Sequence, residues 1–277
     1  MSDLMTLPGN HRRLAVFGGV YSNHRALDAV LTDAADWGAD RVLCLGDVGG
    51  FGPHPDHSAD RLREDGIVVL QGNYDDSVGH GLEDCQCGYS DPRDEHFARI
   101  SYAYTLENTG DENRRWMRSL PRHVRLRLGG LRVLCAHGSP RRVNEFLWES
   151  TTPEGFVERL LAEHEADLIL VTHTGLHWSR MLAGDPGRGL VNVGAIGRPA
   201  NDGDPAVWYA RIEVPVDDGA RVRPRVEFRR VEYDHEALAR EMRDERLPRE
   251  FVETIETGWW TSCLEVLPQK ERARGRF

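Results

Sequence analysis

Four polar side chains in this sequence follow apolar runs, as metal ligands do when they lie at the ends of buried strands. Asp47 occurs in GDVGG, Asn73 in GNYDD, His137 in CAHGSP and His173 in VTHTG. A carboxylate, an amide oxygen and two imidazoles suit a hard or borderline divalent ion. Strands of an open α/β sheet gather their ligands at their carboxyl ends. The pattern therefore predicts a metal centre assembled from four separate parts of the chain.

The segments around these residues predict an alternation of strands and helices. We expect strands at residues 12–19, 40–47 and 67–73, with helices at 22–38 and 54–66 between them. A hairpin and then a helix–strand unit would deliver His137 and His173 to the same edge. Three later strands are expected to form a second, more antiparallel layer: 189–194, 206–214 and 223–233. Two packed sheets flanked by helices, an α/β fold, would result.

The order of the four blocks resembles that of the calcineurin-like metallophosphoesterases over residues 12–215. That family's pattern runs Asp-x-His, Gly-Asp, Gly-Asn-His-Asp or Glu, His, and Gly-His-x-His. The turn VNVGAIG at residues 191–197 resembles one that closes the core of bacterial members. The resemblance implies a four-layer α-β-β-α sandwich. It also implies that Asp47, Asn73, His137 and His173 bind Mn, Fe or Zn, with one or two ions per chain.

Three ligands that the resemblance requires are replaced in this chain. Gly19 and Tyr21 stand at the Asp and His of the first block, and Gly175 stands at the last His. The resemblance assigns these three positions to one of two metal sites, so one site is complete and the other has lost its ligands. Tyr74 stands where the family has a histidine that contacts the phosphate. A phenol can donate a hydrogen bond there but is a weaker acid than imidazolium.

Other side chains near the blocks are candidate substitute ligands. His54 and His177 follow Asp47 and His173 on the same loops. Cys85 and Cys87 form a CxC pair in a Gly- and Asp-rich loop, where two thiolates could bind zinc or iron. A loop turn with two free or mutually oxidised thiols is the alternative for this pair.

A further set of residues would act on the substrate. The catalytic candidates are Tyr74 and Arg141, which would steady phosphate charge, and Asp75, which would orient its neighbour. Tyr21 and Asn144 are candidates for substrate binding.

Composition limits the classes of partner. A formal net charge of −10 argues against binding to a nucleic acid duplex, which requires clustered Lys and Arg. A small phosphorylated substrate is therefore expected. The sequence shows neither a signal peptide nor an apolar stretch long enough for a bilayer, so we expect a cytoplasmic protein without a membrane partner. Whether it forms a homo-oligomer stays open. We expect a core at residues 1–233 and a helical C-terminal tail at 234–277 that packs on it.

Three functions remain as alternatives. The four intact ligands favour a phosphoric ester hydrolase that cleaves a small phosphodiester or phosphomonoester at an altered metal centre. The replaced ligands would also fit a catalytically inactive protein that binds a phosphorylated ligand or a partner. The CxC pair leaves a different zinc or iron site, completed by Cys85 and Cys87, as the third.

Overall fold

The computed structural model describes residues 3–215 and 223–273. In chain order its elements are β1 (Leu4–His11), β2 (Arg13–Phe17), α1 (His24–Asp36), β3 (Arg41–Cys44), α2 (Pro55–Glu64), β4 (Val68–Val69), α3 (Asn73–His80), α4 (Pro92–Glu107), α5 (Asp111–Ser119), β5 (His123–Leu128), β6 (Leu131–Cys135), α6 (Glu154–Glu163), β7 (Leu168–Val171), β8 (His177–Leu182), β9 (Asp185–Val193), β10 (Val207–Glu213), β11 (Arg225–Val231), α7 (His235–Asp244), α8 (Arg249–Thr257) and α9 (Gln269–Arg272).

The strands form two mixed sheets. One has the order β1-β5-β6-β7-β9-β8 and the other β11-β10-β2-β3-β4. Strands β2, β3 and β4 are parallel, and so are β6, β7 and β9. The carboxyl ends of β3 and β4 in one sheet, and of β6 and β7 in the other, therefore carry the loops in which the predicted ligands lie.

Apolar side chains on both faces of the strands explain the layering. Leu14 and Val16 of β2 pack between the sheets with Leu168 and Leu170 of β7. The alternate residues of β2, such as Phe17, face the helix α1, because successive side chains of a strand point to opposite faces. The outer face of the other sheet packs against α6. The expected four-layer α-β-β-α sandwich is confirmed.

One prediction about strands was wrong, and the edge strand β1 was not predicted. Strand β9 was expected in one layer with β10 and β11, but it pairs with β7 and β8 in the other sheet. Strands β10 and β11 instead extend the opening β-α-β unit, since β10 pairs antiparallel with β2. The strand β1 was not predicted; it lies at a sheet edge beside β5, and it contains Pro8 and Gly9.

The segment after β11 contributes to the core. Leu238 of α7 and Phe251 of α8 are buried in one cluster with Phe51 and Phe97. Residues 274–277 of the predicted tail lie outside the described residues, and a domain boundary at residue 234 stays a prediction. Within the described ranges, no helix is both long and apolar enough to cross a membrane.

Candidate metal centre

Asp47, His137 and His173 meet at the carboxyl ends of the parallel strands. Each offers a donor atom, and these atoms lie within 4.8 Å of one another. The Nε2 atom of His137 is 3.2 Å from Asp47 Oδ2 and 3.2 Å from His173 Nδ1. All three residues are buried. A carboxylate and two imidazoles gathered so closely are a suitable ligand set for a divalent ion.

The backbone holds two of these residues in an unusual conformation. Asp47 has a φ of 57° and His173 a φ of 71°, a left-handed region that residues other than glycine seldom adopt. Such conformations persist only where surrounding contacts enforce them, and they cluster at functional sites.

Hydrogen bonds set the directions of the donor atoms. The Nδ1 atom of His137 lies 2.6 Å from the carbonyl oxygen of Leu45. Donation to that carbonyl places the ring proton on Nδ1 and leaves Nε2 as the donor atom for a metal. The backbone N–H of Tyr74 donates to Asp47 Oδ1, so the carboxylate is held from the adjoining helix α3.

Two buried polar atoms beside these residues have no partner. The amide nitrogen of Asn73 donates to the carbonyl of Cys85, but Asn73 Oδ1 has no hydrogen-bond partner, and neither has His173 Nε2. Buried polar atoms are normally satisfied. Asn73 directly precedes Tyr74, whose N–H contacts Asp47, and a buried, unpartnered amide oxygen on this segment fits a bound divalent ion. The residues present therefore fit the metal that the resemblance implies.

Asp75 positions the backbone and does not face the ligands. Its carboxylate accepts hydrogen bonds from the backbone N–H groups of Asp47, Val48 and Gly72. Burial and the neighbouring Asp47 raise the pKa of Asp75 to about 6. The expected role of orienting its neighbour fits these contacts, and they join the loops after β3 and β4.

The electrostatics of the three ligands favour cation binding. Burial lowers the pKa of His173 to about 3, with help from His137, so its imidazole is neutral and able to ligate. Burial opposes ionisation of Asp47, but the two imidazoles outweigh it and lower its pKa. Burial likewise opposes protonation of His137, yet the Asp47 carboxylate raises its pKa.

Aromatic side chains occupy the space beside the three replaced positions. A Cβ atom added at Gly19 would lie 2.8 Å from the ring of Tyr21, and one added at Gly175 would lie 3.0 Å from the ring of Trp260. Longer side chains at either glycine would collide with these rings. The space around Gly19 and Gly175 therefore accommodates glycine but no larger residue without displacing a neighbouring ring.

A cavity adjoins the ligands on this side. Its volume is about 50 Å³, and its lining combines Asp47 and His173 with mostly aromatic residues and one arginine: Tyr21, Gly50, Phe51, Tyr74, Cys87, Tyr89, Phe97, Ala98, Ser101, Arg198, Phe251 and Cys263. The hydroxyl of Tyr74 donates to Ser101 Oγ at 2.9 Å. Ser101 Oγ also accepts from the N–H of Phe51, so its own hydroxyl proton is free for another acceptor.

Two residues of the cavity region were not among the predicted site residues. Arg198 follows the VNVGAIG turn, and the ring of Trp260 stacks on its guanidinium. The signal in the sequence was the position of Arg198 directly after a turn already assigned to the core. Its burial depends on contacts with distant residues and could not be deduced locally.

Several predicted site residues lie elsewhere. Arg141 is half exposed, forms an ion pair with Glu145 and stacks on Phe156. Asn144 donates to the carbonyl of Gln86 on an outer surface. Neither residue is among those that line the cavity.

The two candidate substitute histidines are also separate from the ligands. His177 stacks on Trp208 and Phe228 at the start of β8. His54 packs beside His57 at the start of α2. Closeness in sequence to Asp47 or His173 did not bring either ring to the centre.

The CxC loop folds over the centre but differs from a metal-binding loop. Cys85 and Cys87 are joined by a disulfide, so neither sulfur is a free thiolate, the form that binds metals. Within the described residues they are absent from the group of possible ligands. The loop instead contacts Asn73, whose amide nitrogen donates to Cys85 O.

Comparison with known proteins agrees with this geometry. An uncharacterized protein of Methanocaldococcus jannaschii, MJ0912, is 25% identical over 257 residues, which cover 88% of this chain and 98% of that protein. The crystal structure of a metallophosphoesterase from Sphaerobacter thermophilus has a TM-score of 0.66 and 26% identity, and the match covers 90% of this chain and all of that one.

A structure of lower identity shares the fold. The hypothetical protein PH1004 from Pyrococcus horikoshii OT3 has a TM-score of 0.70 at 21% identity, with 93% of this chain and 100% of that chain covered.

The family model described as calcineurin-like phosphoesterase superfamily domain matches residues 13–215. That range contains the β-α-β opening and all four predicted ligands, and the chain belongs to the calcineurin-like phosphoesterase superfamily.

Proposed function

We propose that this protein is a metal-dependent phosphoesterase that acts on a small phosphorylated substrate with a single divalent ion. The observation that carries the proposal is the convergence of donor atoms from Asp47, His137 and His173 within 4.8 Å. The unpartnered Oδ1 of Asn73 supplies a fourth donor. Mn, Fe and Zn all accept this ligand set.

The chain's own residues have distinct tasks in this proposal. A divalent ion at this position supplies Lewis-acid activation of the phosphoryl group and of the attacking water. Asp47, His137 and His173 would hold the ion, and Asp75 fixes the backbone that carries Asp47. Ser101 offers a hydroxyl proton to a substrate oxygen, since its oxygen already accepts two hydrogen bonds. The aromatic lining gives the cavity a largely apolar wall.

The test is metal content measured beside hydrolysis. Wild-type protein, His173→Ala and the control His96→Ala are purified with Mn²⁺, analysed for metal, and assayed on a panel of phosphomonoesters and phosphodiesters. His96 is an exposed residue of α4, so its substitution makes the same chemical change away from the centre. We expect close to one equivalent of metal and turnover in wild type and in His96→Ala, and loss of both in His173→Ala.

A second function, a catalytically inactive protein that binds a phosphorylated ligand, has one observation in its favour. The positions of the replaced ligands are closed off by Tyr21 and Trp260, and a two-metal site normally holds both the attacking and the leaving oxygen. Metal-loaded wild type that binds phosphate but hydrolyses nothing in the panel would establish this function and refute the first.

The proposal does not use the cysteine alternative. A zinc or iron site completed by Cys85 and Cys87 needs free thiolates, and these residues form a disulfide. A small phosphorylated substrate and a cytoplasmic location remain part of the proposal.

A further inference from the structure

Arg198 is a buried cation without an anionic partner. Its side chain is 6% exposed and lines the cavity beside Asp47 and His173. Nε of Arg198 has no hydrogen-bond partner, and no carboxylate of the described residues forms an ion pair with its guanidinium. Arginine is almost never fully buried unless it is paired. The missing partner must therefore be sought in the cavity.

The guanidinium is held in place by an aromatic face. Its Cζ atom lies 3.5 Å from the ring centre of Trp260 and 5.8 Å from that of Tyr21. Trp260 is itself fixed, since its indole N–H donates to Pro199 O and its backbone N–H to Asn201 Oδ1. Stacking on an aromatic ring stabilises the face of a guanidinium, but the N–H donors at its edge still require hydrogen-bond acceptors.

The glycine at position 175 makes room for this arginine. A Cβ atom at Gly175 would lie 3.3 Å from an Arg198 terminal nitrogen and 3.0 Å from the Trp260 ring. A larger residue at this position would displace the guanidinium. The glycine at position 175 therefore leaves the space that the buried guanidinium and the Trp260 ring occupy.

The other polar groups of the cavity do not neutralise Arg198. Burial raises the pKa of Tyr21 and of Tyr89, and it raises the pKa of the Cys263 thiol, so all three are neutral at neutral pH. Within the described residues Asp47 is the one carboxylate of the lining, and it is directed to His137 at 3.2 Å. The cavity holds a fixed positive charge that an anion would complement.

The cavity has room for a small anion. Its volume of about 50 Å³ would hold a few water molecules at about 10–15 Å³ each. We propose that Arg198 is the anion-binding residue of this site and donates two hydrogen bonds to oxygens of a phosphoryl group. A guanidinium presents such paired donors in a geometry that matches phosphate. The phosphoryl group as ligand rests on the proposed function, whereas the binding of an anion does not need turnover.

Calorimetric titration with inorganic phosphate tests the proposal. The proteins are wild type, Arg198→Met, Arg198→Gln and the control Arg99→Met, each titrated without metal and again with Mn²⁺. Arg99 is an exposed residue of α4 that pairs with Glu95, so its variant removes one positive charge elsewhere. We expect phosphate affinity to fall at least about tenfold in both Arg198 variants and to stay unchanged in Arg99→Met.

Metal content and circular dichroism show whether each variant is folded and still holds its ion. Wild-type affinity for phosphate in a folded Arg198 variant would overturn the proposal, and so would a wild-type protein that binds no phosphate. If Arg198→Met fails to fold, Arg198→Gln, which retains a polar head group, decides. If phosphate binding depends on Arg198 but the protein hydrolyses nothing, the proposed enzymatic function is refuted and the anion site stands. Metal-dependent hydrolysis with unchanged KM in Arg198→Met would refute the anion site alone.

Discussion

The substitution Gly72→Ala probes how closely the loop after β4, which carries Gly72, approaches the loop after β3, which carries Asp47. A Cβ atom at Gly72 would lie 2.5 Å from the backbone nitrogen of Asp47 and closer still to its Oδ1, about 1 Å inside ordinary van der Waals contact. Neither atom is free to move. Asp47 N donates to Asp75 at 2.8 Å, and Asp47 Oδ1 accepts from the N–H of Tyr74 at 3.0 Å.

These contacts determine how much Gly72→Ala should lower the free energy of unfolding. Overpacking of a rigid site costs about 1–3 kcal/mol, and relief of the clash breaks one hydrogen bond to a carboxylate, worth about 1.5–3 kcal/mol. Alanine restricts the unfolded chain and returns about 0.5–1 kcal/mol. We therefore expect Gly72→Ala to lower the free energy of unfolding by about 2–5 kcal/mol. Because Asp47 must shift, metal affinity should also fall by about 10–100-fold.

Urea denaturation of metal-free protein and a metal titration measure the two effects. Gly155→Ala is the matched control, since an added Cβ there meets nothing within 4 Å and the residue lies in the helix α6. It should raise the free energy of unfolding by about 0.5–1 kcal/mol. A Gly72→Ala protein with wild-type urea midpoint and wild-type metal affinity would refute the described approach of Gly72 to Asp47.

Three further predictions concern charge, hydroxyl and metal. Burial opposes ionisation of Asp33, but contacts with Arg229, Tyr209 and Arg211 outweigh burial and lower the pKa of Asp33. Asp33→Asn should therefore lower the free energy of unfolding by about 1 kcal/mol at neutral pH. Urea denaturation should show this difference between variant and wild type vanishing as the pH falls below about 4. Burial raises the pKa of Tyr74 above its ordinary value and its hydroxyl faces Ser101, so Tyr74→Phe should lower kcat/KM less than about tenfold and leave the pH–rate profile unchanged. Metal at a hundred times its Kd should add about 2.7 kcal/mol to the free energy of unfolding, an increase that thermal unfolding with and without chelator would detect and that His173→Ala should abolish.

The fold could be predicted where local pattern determines the element. The β-α-β opening and the hairpin at Gly129–Gly130 are confirmed, because apolar periodicity and turn residues identify them. The sheet to which β9 belongs was missed, since periodicity predicts a strand but does not identify its neighbours. The edge strand β1 was missed because it is largely exposed and is interrupted by Pro8 and Gly9.

The sequence likewise predicted some residues of the candidate site and missed others. Asp47, His137 and His173 were predicted as ligands because each ends a buried parallel strand, and the structure brings them together. His177 and Arg141 were chosen for closeness in sequence, which does not fix the direction of a side chain. The pairing of Arg198 with Trp260 joins segments far apart in the chain, and the turn before Arg198 does not indicate its aromatic partner.

Part of the wall beside the candidate metal centre is encoded outside the range that matches the superfamily. All four predicted ligands and most of the cavity lining lie within residues 13–215, whereas Phe251, Trp260 and Cys263 come from the segment after it. Mutations in that segment can therefore change which molecules fit without altering the chemistry of the ion. During synthesis, likewise, the predicted ligands leave the ribosome before this part of the wall, so the cavity of a newly made chain is complete only after residues 251–263 have docked.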